Sequence, residues 1–159
     1  MDFRNAKFSG GTVGFGSCEF SGSTILFGGQ YRGAEFSGGE VFFSNALFSG
    51  SPISFSKAKF TGCAVHFNSS RFTRGTMEFG NAEFRGGEIN FRSAKWSGDT
   101  TLFSGAKFCG SEVDFSSSKF SSGTIDLSDA ADWSYPPKFG GEPPSTVVKL
   151  PKADHDRFR

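Results

Sequence analysis

Residues 103–115 read FSGAKFCGSEVDF, and residues 115–127 read FSSSKFSSGTIDL. Each stretch begins with Phe, carries a second Phe five residues later, and reaches the next large apolar residue after seven more. Gly and Ser occupy many of the positions between them. This pattern favours short extended segments joined by turns, because Gly is unfavourable inside helices and the apolar residues show no 3.6-residue period.

The same spacing runs through most of the chain. One series of large apolar residues recurs every twelve residues from Phe43 to Leu127, and a second series, from Phe48 to Phe120, follows five residues after the members of the first. The N-terminal part repeats these pairs, as Phe3/Phe8 and Phe15/Phe20. Between Phe27 and Phe36 the interval grows to nine, so residues 30–33 are predicted to be a loop inserted at a corner.

Successive twelve-residue units differ, which indicates a true period of twenty-four. The position two residues before the second aromatic is always Ala in one set of units, but varies in the other: Ala6, Ala34, Ala58, Ala82 and Ala106, against Cys18, Ala46, Ser70, Ala94 and Ser118. An outward position separates in the same way: Thr24, Thr76, Thr100 and Thr124, with Pro52 interrupting, against Thr12, Glu40, Ala64, Glu88 and Glu112. A circuit of twelve residues would also be too small to enclose these side chains at native packing density.

We therefore predict an all-β solenoid over residues 1–128. One coil has about 24 residues and four faces with spacings of five, seven, five and seven, and about five coils stack at the ~4.8 Å strand separation. Each face is expected to be a very short strand, with alternate side chains pointing inward.

The stretches Ala106-Lys107-Phe108 and Ala82-Glu83-Phe84 place a small residue two positions before a central large one, and this pattern resembles the pentapeptide-repeat family. The resemblance covers about residues 3–133. It implies a right-handed quadrilateral β-helix. The chain departs from the family pattern because every other face carries two extra residues. It also has Phe at the central position, where the family usually has Leu.

The resemblance also implies a function without catalysis. The best-known members imitate DNA and protect type II topoisomerases from quinolones or peptide toxins, and such mimicry needs an acidic surface. Residues 1–128 contain 12 Lys and Arg against 11 Asp and Glu, so their charge is balanced. We therefore expect a structural scaffold that binds a protein partner, with topoisomerase protection as the alternative.

Two sets of charged residues recur at equivalent positions. Lys7, Glu35, Lys59, Glu83 and Lys107 alternate in sign, as stacked neighbours prefer. Arg71, Lys95 and Lys119 share one sign, and with Arg92 they form the candidate contact ridge for an acidic protein surface or nucleic acid; a simply solvated face is the other interpretation. Because the net charge of the chain is only +1, we do not expect duplex DNA as a partner.

The sequence gives no support for catalysis. Its two His and three Cys lack metal-ligand spacing, and the Gly-rich residues 10–16 precede no predicted helix. We expect no catalytic residue, cofactor, metal or small-molecule substrate. No apolar run is long enough to cross a membrane and no signal-peptide pattern begins the chain, so a cytoplasmic protein with reduced thiols is expected.

The two ends of the repeat lead to different expectations. Residues 129–159 are predicted to be a C-terminal cap, with Trp133, Tyr135 and Phe139 covering the last coil and residues 140–159 forming an extended or poorly ordered charged tail. The stretch Lys152–Arg159 shows no apolar stripe that supports a helix. Because Phe3 already belongs to the repeat, the first coil is expected to associate with a second copy, a protein partner or preceding sequence.

Overall fold

The computed structural model describes residues 1–152 and shows an all-β protein built from parallel strands. The strands are β1 Lys7–Gly14, β2 Glu19–Ser21, β3 Ile25–Leu26, β4 Glu35–Phe42, β5 Leu47–Ser54, β6 Lys59–His66, β7 Arg71–Glu78, β8 Glu83–Asn90, β9 Lys95–Leu102, β10 Lys107–Phe108, β11 Glu112–Asp114, β12 Lys119–Asp126 and β13 Val148–Lys149.

The strands form two sheets, and the chain passes from one to the other and back in each coil. The first sheet has the order β1-β4-β6-β8-β10, with β11 also paired to β8. The second has the order β13-β12-β9-β7-β5-β2, with β3 also paired to β5. Phe60 pairs with Phe84 and Phe72 with Trp96, so each residue lies beside the one 24 positions further along. The β-solenoid and its 24-residue period are therefore confirmed.

The strands are longer than predicted. Eight of them have eight residues, and β6, for example, runs from Lys59 to His66 across the whole seven-residue interval. Register shifts near Thr61 bend this strand, and similar irregularities occur between most neighbouring coils. The prediction of a separate, very short strand on each face is wrong in this respect, because a bulge turns the corner without ending the backbone pairing.

The shorter intervals are tight turns that contain a residue in the left-handed conformation. In the turn that begins at Phe55, the Ala58 N–H donates to the Phe55 carbonyl at 2.9 Å, and Lys57 has a φ of 61°. The N–H of Lys57 itself donates to Gly80 O in the next coil at 2.8 Å. The other non-Gly residues with positive φ are Ser17, Asn45, Ser69, Asn81, Ser93 and Ser117. Small polar residues suit this position because Asn, in particular, tolerates the left-handed region.

The core consists of four columns of stacked aromatic rings. Ring centroids within a column lie 4.7–5.3 Å apart, close to the separation of paired strands. The columns are Phe3-Phe27-Phe55-Phe79-Phe103, Phe8-Phe36-Phe60-Phe84-Phe108, Phe15-Phe43-Phe67-Phe91-Phe115-Phe139 and Phe20-Phe48-Phe72-Trp96-Phe120. Most of these rings are completely buried, which confirms their predicted inward orientation.

The predicted insertion is also confirmed. Residues 27–34 contain no strand, and Glu35 pairs with Lys7, 28 residues earlier, whereas later coils pair at 24. The stacks continue across the loop, since Phe27 still lies parallel to Phe55 at 4.7 Å. The four extra residues therefore loop out from the coil, and the stacked rings of the core are not disturbed.

The coils continue beyond residue 128. Phe139 stacks on Phe115 at 5.1 Å and is the sixth ring of its column, so the solenoid has about six coils instead of the expected five. Trp133 packs edge-on against Phe108 at 5.4 Å, and these two contacts agree with the predicted cover. Tyr135 does not take part, because 60% of its surface is exposed.

The expected tail is wrong for part of its length. Val147 and Val148 are buried, and β13 pairs with β12 through Ile125 and Val148. These apolar residues provide a strand that covers the edge of the last coil. Residues 153–159, which include most of the stretch considered for a helix, lie outside the described residues.

Candidate functional site: charged columns on two sheets

The residue that precedes each stacked ring of the second series points outward and forms a column on each sheet. On the first sheet the strand register places Lys7, Glu35, Lys59, Glu83 and Lys107 beside one another in that order. Lys7 Nζ lies 3.4 Å from Glu35 Oε2, and Lys107 Nζ lies 3.7 Å from Glu83 Oε1. We call this set the alternating column; its predicted complementarity is confirmed.

Glu83 shows the electrostatic effect of this arrangement. Partial burial opposes its ionisation, but the hydrogen bond from Arg85 and the charges of Arg85, Lys107 and Lys59 hold the pKa of Glu83 below its usual value. The Arg85 Nε–Glu83 Oε2 distance is 2.8 Å. The carboxylate therefore stays charged and serves as the negative member between two lysines.

The equivalent column on the second sheet has a different composition. Strand pairing places Arg71 beside Lys95 and Lys95 beside Lys119, so three cations occupy successive coils. All three side chains are exposed, and none has a carboxylate within 4.0 Å in residues 1–152. We call Arg71, Lys95 and Lys119 the basic ridge. Like charges directly opposite each other reduce stability, so this column costs folding free energy that the alternating column does not.

Arg92 is not an equivalent member of the basic ridge. Its Nε lies 3.8 Å from Asp114 Oδ2, and its backbone N–H donates to Asn90 Oδ1 at 2.9 Å. Arg92 lies in the turn between β8 and β9, and Asp114 ends β11 on the first sheet, so this ion pair joins the turn to the next coil. The structure brings together Arg71, Lys95 and Lys119, and it gives Arg92 an acidic partner that they lack.

A buried polar group was missed by the sequence analysis. Asp99 is only 2% exposed, and the Thr101 hydroxyl donates to Asp99 Oδ1 at 3.2 Å. The Trp96 indole N–H in turn donates to Thr101 Oγ1 at 3.3 Å. Burial raises the pKa of Asp99 to about 6, although the hydrogen bond from Thr101 lowers it. The signal available in the sequence was a carboxylate at a position where the neighbouring coils have Gly75 and Gly123.

The histidine and cysteine side chains occupy separate structural positions. The His66 ring stacks on Phe42 at 4.6 Å, and its Nε2 lies 4.0 Å from Glu40 Oε1. Cys63 is buried, and burial followed by the charge of Glu40 raises its pKa to about 11. Within residues 1–152, no three His, Cys, Asp or Glu side chains lie close enough together to hold a metal ion.

Comparison with known proteins gave no assignment, since no family model matches the chain and no curated protein is significantly similar in sequence. The described part of the chain, residues 1–152, contains no helix with the length and hydrophobicity needed to cross a membrane.

Proposed function

We propose that this protein is a non-catalytic scaffold of the pentapeptide-repeat type that binds an acidic protein surface through the basic ridge. The observation that carries the proposal is the contrast between two equivalent columns. One neutralises itself through Lys–Glu pairs, and the other presents three exposed cations without acidic partners in residues 1–152. A complementary partner would supply the missing carboxylates and offset the repulsion between the cations.

The geometry of the ridge suits a rigid, repetitive contact. Adjacent cations are one coil apart, about 4.8 Å along the solenoid at the Cα positions, because paired strands have that separation. The stacked rings beneath the ridge hold the backbone of its strands in place. Binding therefore requires little further ordering of the backbone. Carboxylates on a strand or helix of the partner could each face one cation.

Affinity capture from the native host provides the test. Wild-type protein, Lys95→Glu and the control Arg74→Glu are compared, since both substitutions reverse the charge of an exposed cation on the second sheet and Arg74 lies outside the ridge. We expect wild type and Arg74→Glu to recover the same acidic protein, and Lys95→Glu to lose at least tenfold of it. Raising the salt concentration should weaken the wild-type interaction, because exposed charges are screened. Equal recovery by Lys95→Glu would overturn the role of the ridge.

Topoisomerase protection is the alternative function that the resemblance to the pentapeptide-repeat family suggests. A supercoiling assay with a quinolone separates the two, because a scaffold for another partner leaves the inhibited enzyme unchanged whereas a DNA mimic restores its activity. The balanced charge of residues 1–128 supports the scaffold. Cytoplasmic location and the absence of a cofactor are part of the same proposal.

We also propose that the first coil binds another copy of this chain. Its rings Phe3, Phe8 and Phe15 are only partly buried, whereas Phe27 and Phe36 one coil further are completely buried. The outer edge of β1 also pairs with no strand in residues 1–152. Sedimentation should therefore show a mass that rises with concentration, and a monomer at all concentrations would contradict this contact.

A further inference from the structure

The inserted loop, residues 30–33, forms one wall of an open groove of about 600 Å³ on the first sheet. The loop is anchored at both ends: the Ala34 N–H donates to Phe27 O at 2.6 Å, and the Gly29 N–H donates to Ser56 O at 3.3 Å. Gly33 lies against the next coil so closely that a Cβ there would come within 2.4 Å of the Ala58 nitrogen. The groove is therefore bounded by an anchored segment of the chain.

Cations outnumber anions around this groove. Its charged lining residues are Arg32, Lys57, Lys59, Lys107, Glu35 and Glu83. Both carboxylates already have partners, since Glu35 pairs with Lys7 and Glu83 with Arg85 and Lys107. Arg32, Lys57 and Lys59 have no carboxylate within 4.0 Å in the described chain. The four cations of the lining thus exceed its two carboxylates, which leaves net positive charge for an anion that enters the groove.

Lys57 is an exception to the repeat at this place. It has a φ of 61° at the turn position where the other non-Gly residues are Ser or Asn. The left-handed conformation costs about 1–2 kcal/mol for a residue with a Cβ, and the long side chain of Lys57 does not lower this cost. The Lys57 ammonium instead reaches the loop and donates to the Gln30 carbonyl. An ammonium has three donors, so two remain for a ligand.

Tyr31 adds an apolar surface next to these cations. It lines the groove, and 86% of its surface is exposed, the largest exposed fraction among the exposed large hydrophobic side chains of residues 1–152. An exposed aromatic ring beside Arg and Lys is suited to a ligand that joins a flat ring to an anionic group, because the ring can stack while the cations bind the oxygens.

We propose that this groove binds a phosphate monoester carried on a planar ring, of which a nucleoside monophosphate is representative. Arg32, Lys57 and Lys59 bind the phosphate oxygens, and Tyr31 stacks on the ring. The site lies on the opposite sheet from the basic ridge and is independent of the scaffold proposal. It requires no chemical step: the ligand is bound and released unchanged.

Calorimetric titration of the full chain with adenosine 5′-monophosphate and with inorganic phosphate tests the site. We expect saturable binding of both probes, with the nucleotide at least fivefold tighter. Lys57→Asn should weaken nucleotide binding at least tenfold without lowering the melting temperature, because Asn45 and Asn81 occupy the same turn position. Tyr31→Ala should remove the advantage of the nucleotide and leave phosphate binding unchanged. Arg74→Asn, which removes an exposed cation from the second sheet, should bind like wild type.

Several outcomes would overturn the proposal. Absence of saturable binding by both probes would exclude the site, and unchanged nucleotide affinity in Lys57→Asn would exclude the assigned phosphate position. Equal affinity of wild type for phosphate and nucleotide would exclude the stacking role of Tyr31. Because the stability of Lys57→Asn is measured in parallel, loss of binding by unfolding is recognised directly.

Discussion

Phe79 illustrates how a single ring contributes to this core. It lies parallel to Phe55 at 5.0 Å and to Phe103 at 4.8 Å, with interplanar angles of 6° and 3°. Since carbon atoms make contact at about 3.5–4.0 Å, parallel rings at these centroid distances are displaced sideways by roughly 3 Å. Offset stacking is the geometry that aromatic pairs favour. The coil separation thus allows every ring to stack well on both neighbours.

We predict that Phe79→Asp prevents folding. The substitution removes a buried ring, which alone costs about 3–5 kcal/mol, and introduces a carboxyl group without a partner. This loss approaches the 5–15 kcal/mol that stabilises a typical domain. Circular dichroism during heating should show no cooperative transition. Phe79→Leu is the matched control and should still fold, because Leu127, which lies one coil after Phe103, fills the equivalent buried position. A wild-type melting curve for Phe79→Asp would contradict the buried placement.

Asp99 leads to a prediction about pH. Its pKa is about 6 in the folded protein, above the ordinary value of 3.8, so the folded state holds a proton that the unfolded chain releases between these values. Stability from this group is complete below pH 3.8 and is lost as the pH rises towards 6. The loss amounts to roughly 2–3 kcal/mol.

Asp99→Asn should remove this loss. The melting temperature of the variant relative to wild type is expected to increase between pH 4 and pH 6 and to stay constant above pH 7, as measured by differential scanning calorimetry. Glu19→Gln, which replaces an exposed carboxylate, should show no such increase. A difference between Asp99→Asn and wild type that is independent of pH would mean that Asp99 is charged throughout this range in the folded protein.

At the scale of the strand, the two outward columns show that the same position can stabilise or destabilise a coil. In the alternating column Glu35, Lys59 and Glu83 each lie between residues of opposite charge. In the basic ridge Lys95 lies between Arg71 and Lys119. The stacked rings beneath both columns are nearly the same, so the difference in stability comes from the charges.

We predict that Lys95→Glu raises the melting temperature and that Glu83→Lys lowers it. The first change converts the ridge into an alternating series, and the second places three lysines in succession. Each cross-strand pair contributes about 0.2–1 kcal/mol, which corresponds to roughly 1–4 °C for a chain of this length. Salt should reduce both shifts. Two shifts of the same sign would contradict this electrostatic account.

At the scale of the whole molecule, the C-terminal residues complete the solenoid. The Phe115 N–H donates to Lys138 O at 2.7 Å, and the Ile125 N–H donates to Val147 O at 2.8 Å. Phe139 and Val148 add buried apolar surface over the same coil. These residues satisfy backbone groups that would otherwise form an open strand edge.

A chain that ends at residue 128 is therefore expected to be less stable and to associate. Its melting temperature should fall by at least about 5 °C, because losing more than ~2 kcal/mol has this effect in a chain of this size. Light scattering should show oligomers through the newly exposed edge. Phe139→Ser should lower the melting temperature by a smaller amount while the chain stays in its wild-type association state. A truncated chain with wild-type stability would show that the last coil makes no energetic contribution.

The periodicity alone predicted much of this molecule. The 24-residue coil, the inward rings and the composition of both charged columns follow from residue spacing, because in a solenoid each residue lies beside its equivalent in the next coil. The inserted loop was recognisable for the same reason, since four residues interrupt a regular series. The neighbouring positions of Arg71, Lys95 and Lys119 follow from the sequence alone.

Other features depended on contacts between different parts of the chain. The eight-residue strands result from bulges at the corners, and local spacing does not reveal whether pairing continues through a bend. The burial of Asp99, the pairing of Arg92 with Asp114 and the groove beside Tyr31 bring together residues from different columns. The strand at Val148–Lys149 follows no repeat, and only the open edge of β12 explains its position. Repetition thus determined which residues stack, whereas the path of the backbone around each corner and over the last coil decided which residues meet between columns.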